Sequence, residues 1–104
     1  MTKLGQPYTS GIWTVKPGKE EEFIQAWREF ANWSGSSQVG AGAARLLQDL
    51  EHPNRLISFG DWDNPESIQQ WRSTPEFAAF LVQARALCDD IQPGTFKVVA
   101  YLDG

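Results

Sequence analysis

Local turn and helix-start signals divide this chain into strands and helices in the order β-α-β-β-α-β. Runs of β-branched and aromatic residues predict strands, and apolar residues at helical spacing predict helices. The predicted strands are residues 8–15, 43–50, 55–62 and 95–102, and the predicted helices are residues 18–33, 65–72 and 75–91, the last two forming one interrupted segment. This order is typical of the split β-α-β, ferredoxin-like fold, an α+β fold with a four-stranded antiparallel sheet.

The helix starts and loops carry the local evidence for this division. Asn64-Pro65 and Thr74-Pro75 each place a capping residue directly before a Pro, which favours a helix start. Residues 34–42 are rich in Gly and Ser and predict a flexible loop, which we expect to gate a cavity beneath it. Gln92-Pro93-Gly94 predicts the end of the last helix.

The predicted strands are apolar on both of their faces. Along the third strand Ile57 and Phe59 alternate with Leu56 and Trp62, whereas a sheet with one wet face alternates apolar with polar residues. Leaving the second face in water would forgo about 1.5–3 kcal/mol for each large side chain. We therefore expect an obligate homodimer in which two copies pair through their sheets.

Length and composition exclude several classes of protein. At 104 residues we expect a single domain spanning residues 1–104, with residues 1–7 as an N-terminal extension. The net charge of -4 and the absence of a basic run argue against a nucleic-acid partner. No apolar stretch reaches the roughly 20 residues of a membrane span, and no signal peptide is evident. The single Cys fits a reducing compartment, so a cytoplasmic location is expected.

Three segments of the chain resemble the antibiotic biosynthesis monooxygenase family: residues 13–23, the hairpin from Arg45 through Trp62, and residues 71–77. The resemblance implies a dimeric α/β barrel. The family includes cofactor-independent oxygenases that turn polyphenols into quinones, quinol monooxygenases and haem-degrading enzymes. It thus implies a cofactor-independent monooxygenase of a small aromatic substrate, of the phenol or hydroquinone type. The alternative is a non-catalytic small-molecule-binding protein on the same dimeric barrel.

The same resemblance can be carried over to single positions. The quinone-forming branch has an Asn four residues before the Trp that closes strand three; here that Trp is Trp62, and Ser58 holds the Asn position. The haem-degrading branch has an Asn on strand one, a Trp at the end of the first part of helix two and a His ten residues later. The matching positions are near Ser10, at Trp71 and at Leu81. Because Leu81 cannot bind iron, haem degradation is not expected.

These observations predict a pocket between the sheet and the last two helices. Its walls would be Trp62, Trp71 and Phe77, with Ser10, Ser58 and Leu81 as further substrate-binding residues. For each of them core packing is the alternative role. No cofactor and no metal are expected, because no GxGxxG, P-loop or paired Cys/His spacing occurs, and no catalytic residue is assigned.

Five other ionisable residues are candidates for chemistry. His52 precedes Pro53 in a turn, where an exposed and inert imidazole is the favoured interpretation. Cys88 lies on the apolar stripe of the last helix and is expected in the core. The guanidinium groups of Arg45, Arg55 and Arg72 could hold an anionic substrate, although solvated surface roles are more common.

Overall fold

The computed structural model describes residues 3–103 and confirms the predicted α+β, ferredoxin-like fold. Met1 and Thr2 of the predicted extension, and Gly104, lie outside the described residues. The elements are β1 (Pro7–Val15), α1 (Glu20–Ser37), β2 (Ala41–Gln48), β3 (Arg55–Trp62), α2 (Pro65–Arg72), α3 (Pro75–Leu87) and β4 (Cys88–Lys97).

The four strands form one antiparallel sheet in the order β2-β3-β1-β4. The central strand β1 pairs with β3 on one side and with β4 on the other, so that Ile12 lies between Ile57 and Gln92. All three helices cover the same face of this sheet, which is called the inner face below. Alternation along each strand then decides which side chains enter the core.

The starts of α2 and α3 agree with the sequence prediction. The Asn64 side chain accepts a hydrogen bond from the Ser67 N–H at 2.9 Å, and a Pro follows it at the first helical position. Thr74 caps α3 in the same way, accepting from the Phe77 N–H at 3.1 Å. Each cap satisfies a backbone donor that the first helical turn leaves without a partner.

The prediction of a flexible loop at residues 34–42 is wrong for most of that range. α1 continues to Ser37, and β2 begins at Ala41, which leaves only residues 38–40 as a connection. Ser34 is buried, and its Oγ donates to the Phe30 carbonyl at 2.8 Å. Because tertiary packing holds this serine inside the helix, the Gly- and Ser-rich composition of residues 34–42 was a misleading signal for a loop. The gate that was predicted from this loop therefore loses its basis.

The last strand also differs from the prediction of residues 95–102. α3 ends at Leu87, and β4 runs from Cys88 to Lys97 through the Pro93-Gly94 pair that had predicted a stop. The Pro is tolerated because β4 is an edge strand, where a missing N–H can face outward instead of towards the ladder. Val99, Tyr101 and Leu102 consequently lie outside the sheet and are exposed.

β2 is shifted by two residues from its predicted range of 43–50. It ends at Gln48 because the Asp49 carboxylate accepts from the N–H groups of Glu51 and His52, at 2.8 and 3.1 Å, and forms the turn. These two bonds also lower the pKa of the exposed Asp49 carboxyl. Leu50, predicted as strand, is fully exposed in this turn.

The core lies between the inner face and the helices. Trp13, Val15 and Leu56 from the sheet pack against apolar side chains of α1 and α3, among them Phe23 and Phe80. Val15 and Phe23 have no exposed surface, and burial of side chains of this size contributes about 1.5–3 kcal/mol each. The alternation predicted for the third strand is therefore correct, with Ile57 and Phe59 on the opposite, outer face.

Candidate functional site

A cavity of about 100 Å³ lies between the inner face of the sheet and the helices. The strands β1, β2 and β3 supply its floor, and residues of all three helices supply its walls. One buried water needs about 10–15 Å³, so the space suits roughly seven to ten non-hydrogen atoms. A ligand of one aromatic ring with a few substituents has this size.

Aromatic rings form most of the cavity wall around Trp71. The Trp71 ring lies 5.0 Å from Trp62, 4.7 Å from Phe77 and 5.6 Å from Phe30, measured between ring centroids. The contact with Phe77 is edge-on, whereas the contact with Phe30 is stacked. Both are favoured geometries for aromatic pairs. The wall thus offers apolar aromatic surface to a planar ligand.

Three of the four indole N–H groups around the cavity donate to a hydroxyl oxygen. The bonds run from Trp13 to Ser58 at 2.9 Å, from Trp62 to Thr9 at 3.1 Å, and from Trp71 to Ser34 at 2.9 Å. The Ser34 hydroxyl proton has its own acceptor in helix α1. Within residues 3–103 no acceptor was found for the hydroxyl protons of Ser58 and Thr9, so both can donate to an oxygen of a bound ligand.

These two hydroxyls lie on neighbouring strands of the floor. Gly11 pairs with Ser58 and Thr9 pairs with Gly60, which makes Thr9 and Ser58 diagonal neighbours on the inner face. Diagonal neighbours in an antiparallel pair are about 7–8 Å apart.

Two charged residues, Arg72 and Asp61, contribute to the cavity lining. Arg72 ends α2, is half-buried, and has its pKa lowered by burial. The Asp61 carboxylate accepts a hydrogen bond from the Gln6 side chain at 3.1 Å, and alternation along β3 points it away from the inner face. The Gln6 carboxamide oxygen is buried and has no partner within residues 3–103.

All six residues predicted to bind substrate are brought to this cavity. Trp62, Trp71, Phe77, Ser58, Leu81 and Ser10 are among its lining residues. Ser10 differs from the others, because alternation along β1 directs its side chain to the outer face while Thr9 faces inward. Lining a cavity is a statement of position, and the binding role of these residues remains a prediction.

Several lining residues were not predicted from the sequence. The wall contributed by α1 includes Trp27, Phe30 and Ser34. A signal for them existed, since they continue the apolar stripe of that helix and Ser34 is a polar residue on it. Thr9 had no such signal, because its role depends on the position of the Trp62 indole.

The other candidates for chemistry lie elsewhere. His52 is exposed in the β2–β3 turn, as expected, and does not line the cavity. Cys88 is buried, and its thiol pKa is raised to about 11 by that burial and by the negative charge of Asp89, with a small opposing effect of Lys16. A thiol that stays protonated at neutral pH is a poor nucleophile.

Residues 3–103 also lack two features, one that concerns metals and one that concerns membranes. No three His, Cys, Asp or Glu side chains come together in a way that could hold a metal ion. None of the helices combines the length and the apolar run that crossing a membrane requires.

Residues 11–83 match the model of the family described as antibiotic biosynthesis monooxygenase. SnoaB, a cofactor-independent oxygenase from Streptomyces nogalater, superposes with a TM-score of 0.86 at 20% identity, over 96% of this chain and 99% of SnoaB. A conserved protein from Methanosarcina mazei Go1 gives a TM-score of 0.80 at 18% identity, over 89% of this chain and 92% of its own. No curated protein matches the sequence.

Proposed function

The chain belongs to the antibiotic biosynthesis monooxygenase family, and from that premise we propose that it oxidises a small phenol or hydroquinone with dioxygen, without a bound cofactor. One oxygen atom of O₂ enters the ring and the other leaves as water. The substrate supplies all four electrons that this reduction consumes, so the balance closes without an external reductant. An electron-rich ring can do this chemistry itself, and the protein then contributes binding and orientation.

The observation that carries this proposal is the combination of an aromatic wall with two hydroxyl donors on the cavity floor. Trp62, Trp71 and Phe77 provide flat surfaces against which a phenol ring can stack. Ser58 and Thr9, each held by an indole N–H, can donate to the substrate oxygen. Such donors stabilise the charge that develops on that oxygen during oxidation, because the surrounding cavity is apolar.

The proposal is tested by oxygen consumption with simple hydroquinones and naphthols, corrected for their autoxidation. We expect one O₂ consumed per substrate molecule and one labelled atom in the product when ¹⁸O₂ is supplied. Ala31→Phe fills the cavity from α1 and should abolish the consumption. The matched control is Ala79→Phe, which adds the same ring at an exposed position of α3 outside the cavity and should retain it.

Two outcomes would contradict the proposal. Oxygen consumption that Ala31→Phe leaves unchanged would show that the cavity is not where the reaction occurs. Stoichiometric binding of these compounds without any turnover would favour the alternative, a non-catalytic small-molecule-binding protein.

We further propose that the protein is a homodimer that pairs through the outer face of its sheet. This face carries apolar side chains in every strand: Tyr8, Ile12, Leu47, Ile57, Phe59 and Phe96. Leu47, Ile57 and Phe96 are 50%, 39% and 58% exposed in the single chain. A contiguous patch of this kind is unusual on a soluble monomer, and a second copy offers a surface of the same shape and polarity.

Light scattering over a dilution series measures this assembly directly. We expect twice 11.7 kDa at every concentration for the native chain. Ile57→Asp places a charge on the outer face and should yield monomers, whereas Val82→Asp, at an exposed position of α3, should leave the mass unchanged. A native protein that stays monomeric would refute the pairing.

A cytoplasmic location remains a prediction from the sequence, to be checked by cell fractionation.

A further inference from the structure

Arg72 is a half-buried cation at the cavity that has no anionic partner among residues 3–103. Its Nη1 donates to Thr95 Oγ1 at 2.7 Å, and its Nη2 donates to the Gly94 carbonyl at 3.4 Å. The one ion pair within residues 3–103 joins Lys19 and Glu22 on the exposed surface. Of the five N–H donors of a guanidinium, two are used here, and three remain for another acceptor.

The surroundings of this guanidinium favour a role in binding a ligand over a role in a structural ion pair. Burial penalises its charged form, as the lowered pKa indicates, and no carboxylate of the described residues lies close enough to compensate. The two bonds it makes hold the end of α2 against β4, and they go to neutral oxygens. Arginine in such a setting binds planar anions well, because its fork of donors matches the geometry of a carboxylate.

Apart from Arg72, the residues that line the cavity are neutral, with the exception of one acidic residue that lies elsewhere in the lining. The other charged lining residue, Asp61, is bonded to Gln6 and directed towards the outer face. The floor hydroxyls of Ser58 and Thr9 are neutral donors. An anionic group on a ligand is therefore favoured at Arg72 and at no other point of the lining.

Arg72 directly follows Trp71, the centre of the aromatic wall. We propose that the cavity selects an aromatic acid, with its ring against Trp71 and its carboxylate on Arg72. This inference rests on the proposed function for the identity of the site, and it adds the substrate class, a hydroxylated aromatic carboxylate. The phenolic oxygen at the opposite end of the ring is then directed to the hydroxyl of Ser58, because Thr9 lies opposite Thr95, the residue that Arg72 bonds.

A matched pair of ligands isolates the charge. Para-hydroxybenzoate and para-hydroxybenzamide have the same shape and number of non-hydrogen atoms, but only the first is anionic at pH 7. Isothermal titration under nitrogen should give at least about tenfold tighter binding of the acid, as expected for hydrogen bonds to a charged group. Added salt should weaken the binding of the acid and leave the binding of the amide unchanged.

Substitutions at Arg72 then assign the preference to this side chain. Arg72→Gln should reduce the affinity for the acid to that for the amide. The affinity for the amide should stay within about twofold of its value in the native protein. Arg72→Lys keeps the charge without the fork and should retain part of the preference. Arg85→Gln removes the same charge from an exposed position of α3 and serves as the control. Thermal unfolding of each variant verifies that it is folded, and Arg72→Lys decides the matter where the Gln variant does not fold.

Any of three results would overturn the inference: equal affinities for the acid and the amide, an equal loss of both affinities in Arg72→Gln, or no binding of either ligand. Its failure is separable from that of the proposed function. Acid-selective binding without oxygen consumption would sustain the inference and refute the oxygenase. Turnover of neutral hydroquinones without any preference for acids would do the reverse.

Discussion

Replacing Trp71 by Ala should weaken ligand binding, at a cost in stability below that of truncating a fully packed core Trp. Truncation of a fully packed core Trp costs about 3–5 kcal/mol. Trp71 is half-buried and borders a cavity on one side, so less packing is lost. Its three aromatic contacts, with Trp62, Phe30 and Phe77, and its bond to Ser34 remain the main losses. We expect about 2 kcal/mol, which lowers the Tm by roughly 8–16 °C in a domain of this size.

Trp33→Ala provides the matched control for this measurement. Trp33 is also half-buried and also stacks on Phe30, at 5.8 Å, but it does not line the cavity. Thermal unfolding and calorimetric affinity for para-hydroxybenzoate are measured on both variants. Trp33→Ala should lose less stability, because Trp33 has one ring contact where Trp71 has three, and only Trp71→Ala should lose at least tenfold in affinity. A stability loss of about 3–5 kcal/mol in Trp71→Ala with unchanged affinity would show that this side chain is ordinary core.

Three further predictions concern hydrogen bonds and the thiol. Ser58→Ala leaves the buried Trp13 N–H without its acceptor and should cost about 1–3 kcal/mol in denaturant unfolding; unchanged stability would contradict the 2.9 Å bond. Asn64→Ala removes the cap on Ser67 and should cost about 0.5–2 kcal/mol, whereas Asn64→Asp should restore most of it. Cys88 should resist thiol reagents at pH 8 in the folded protein and react once guanidinium unfolds it. Because its pKa rises from 9.0 in the unfolded chain to about 11 in the folded one, stability should fall as pH increases through that interval, and Cys88→Ala should remove this contribution.

The sequence predicts those features that depend on residues close together along the chain. The helix starts at Pro65 and Pro75 follow from a capping side chain and a fixed backbone angle, both local properties. The two faces of β3 follow from the period of two in a strand. The grouping of Trp62, Trp71 and Phe77 at one cavity could also be expected, since the order of elements places helix α2 directly after β3.

Other features depend on partners that are distant in the sequence. Pro93-Gly94 is a stop signal by composition, but pairing of β4 with β1 from Val15 to Pro7 draws both residues into an edge strand. The serines after Trp33 look like a loop until the buried Ser34 is seen to accept the Trp71 indole. In each case the free energy of a long-range contact outweighs a local preference.

The cavity chemistry shows the same division. Ionisable and polar residues could be listed from the sequence, yet their roles depended on what the fold places beside them. Arg72 could be a solvated surface cation until the structure brought it to the cavity, where no carboxylate from the described part of the chain pairs with it. Ser58 became a donor because the Trp13 indole occupies its acceptor site. Local order along the chain therefore determined the elements and their faces, and only tertiary packing decided which polar groups were left with unused hydrogen-bonding capacity, because that capacity depends on neighbours far apart in sequence.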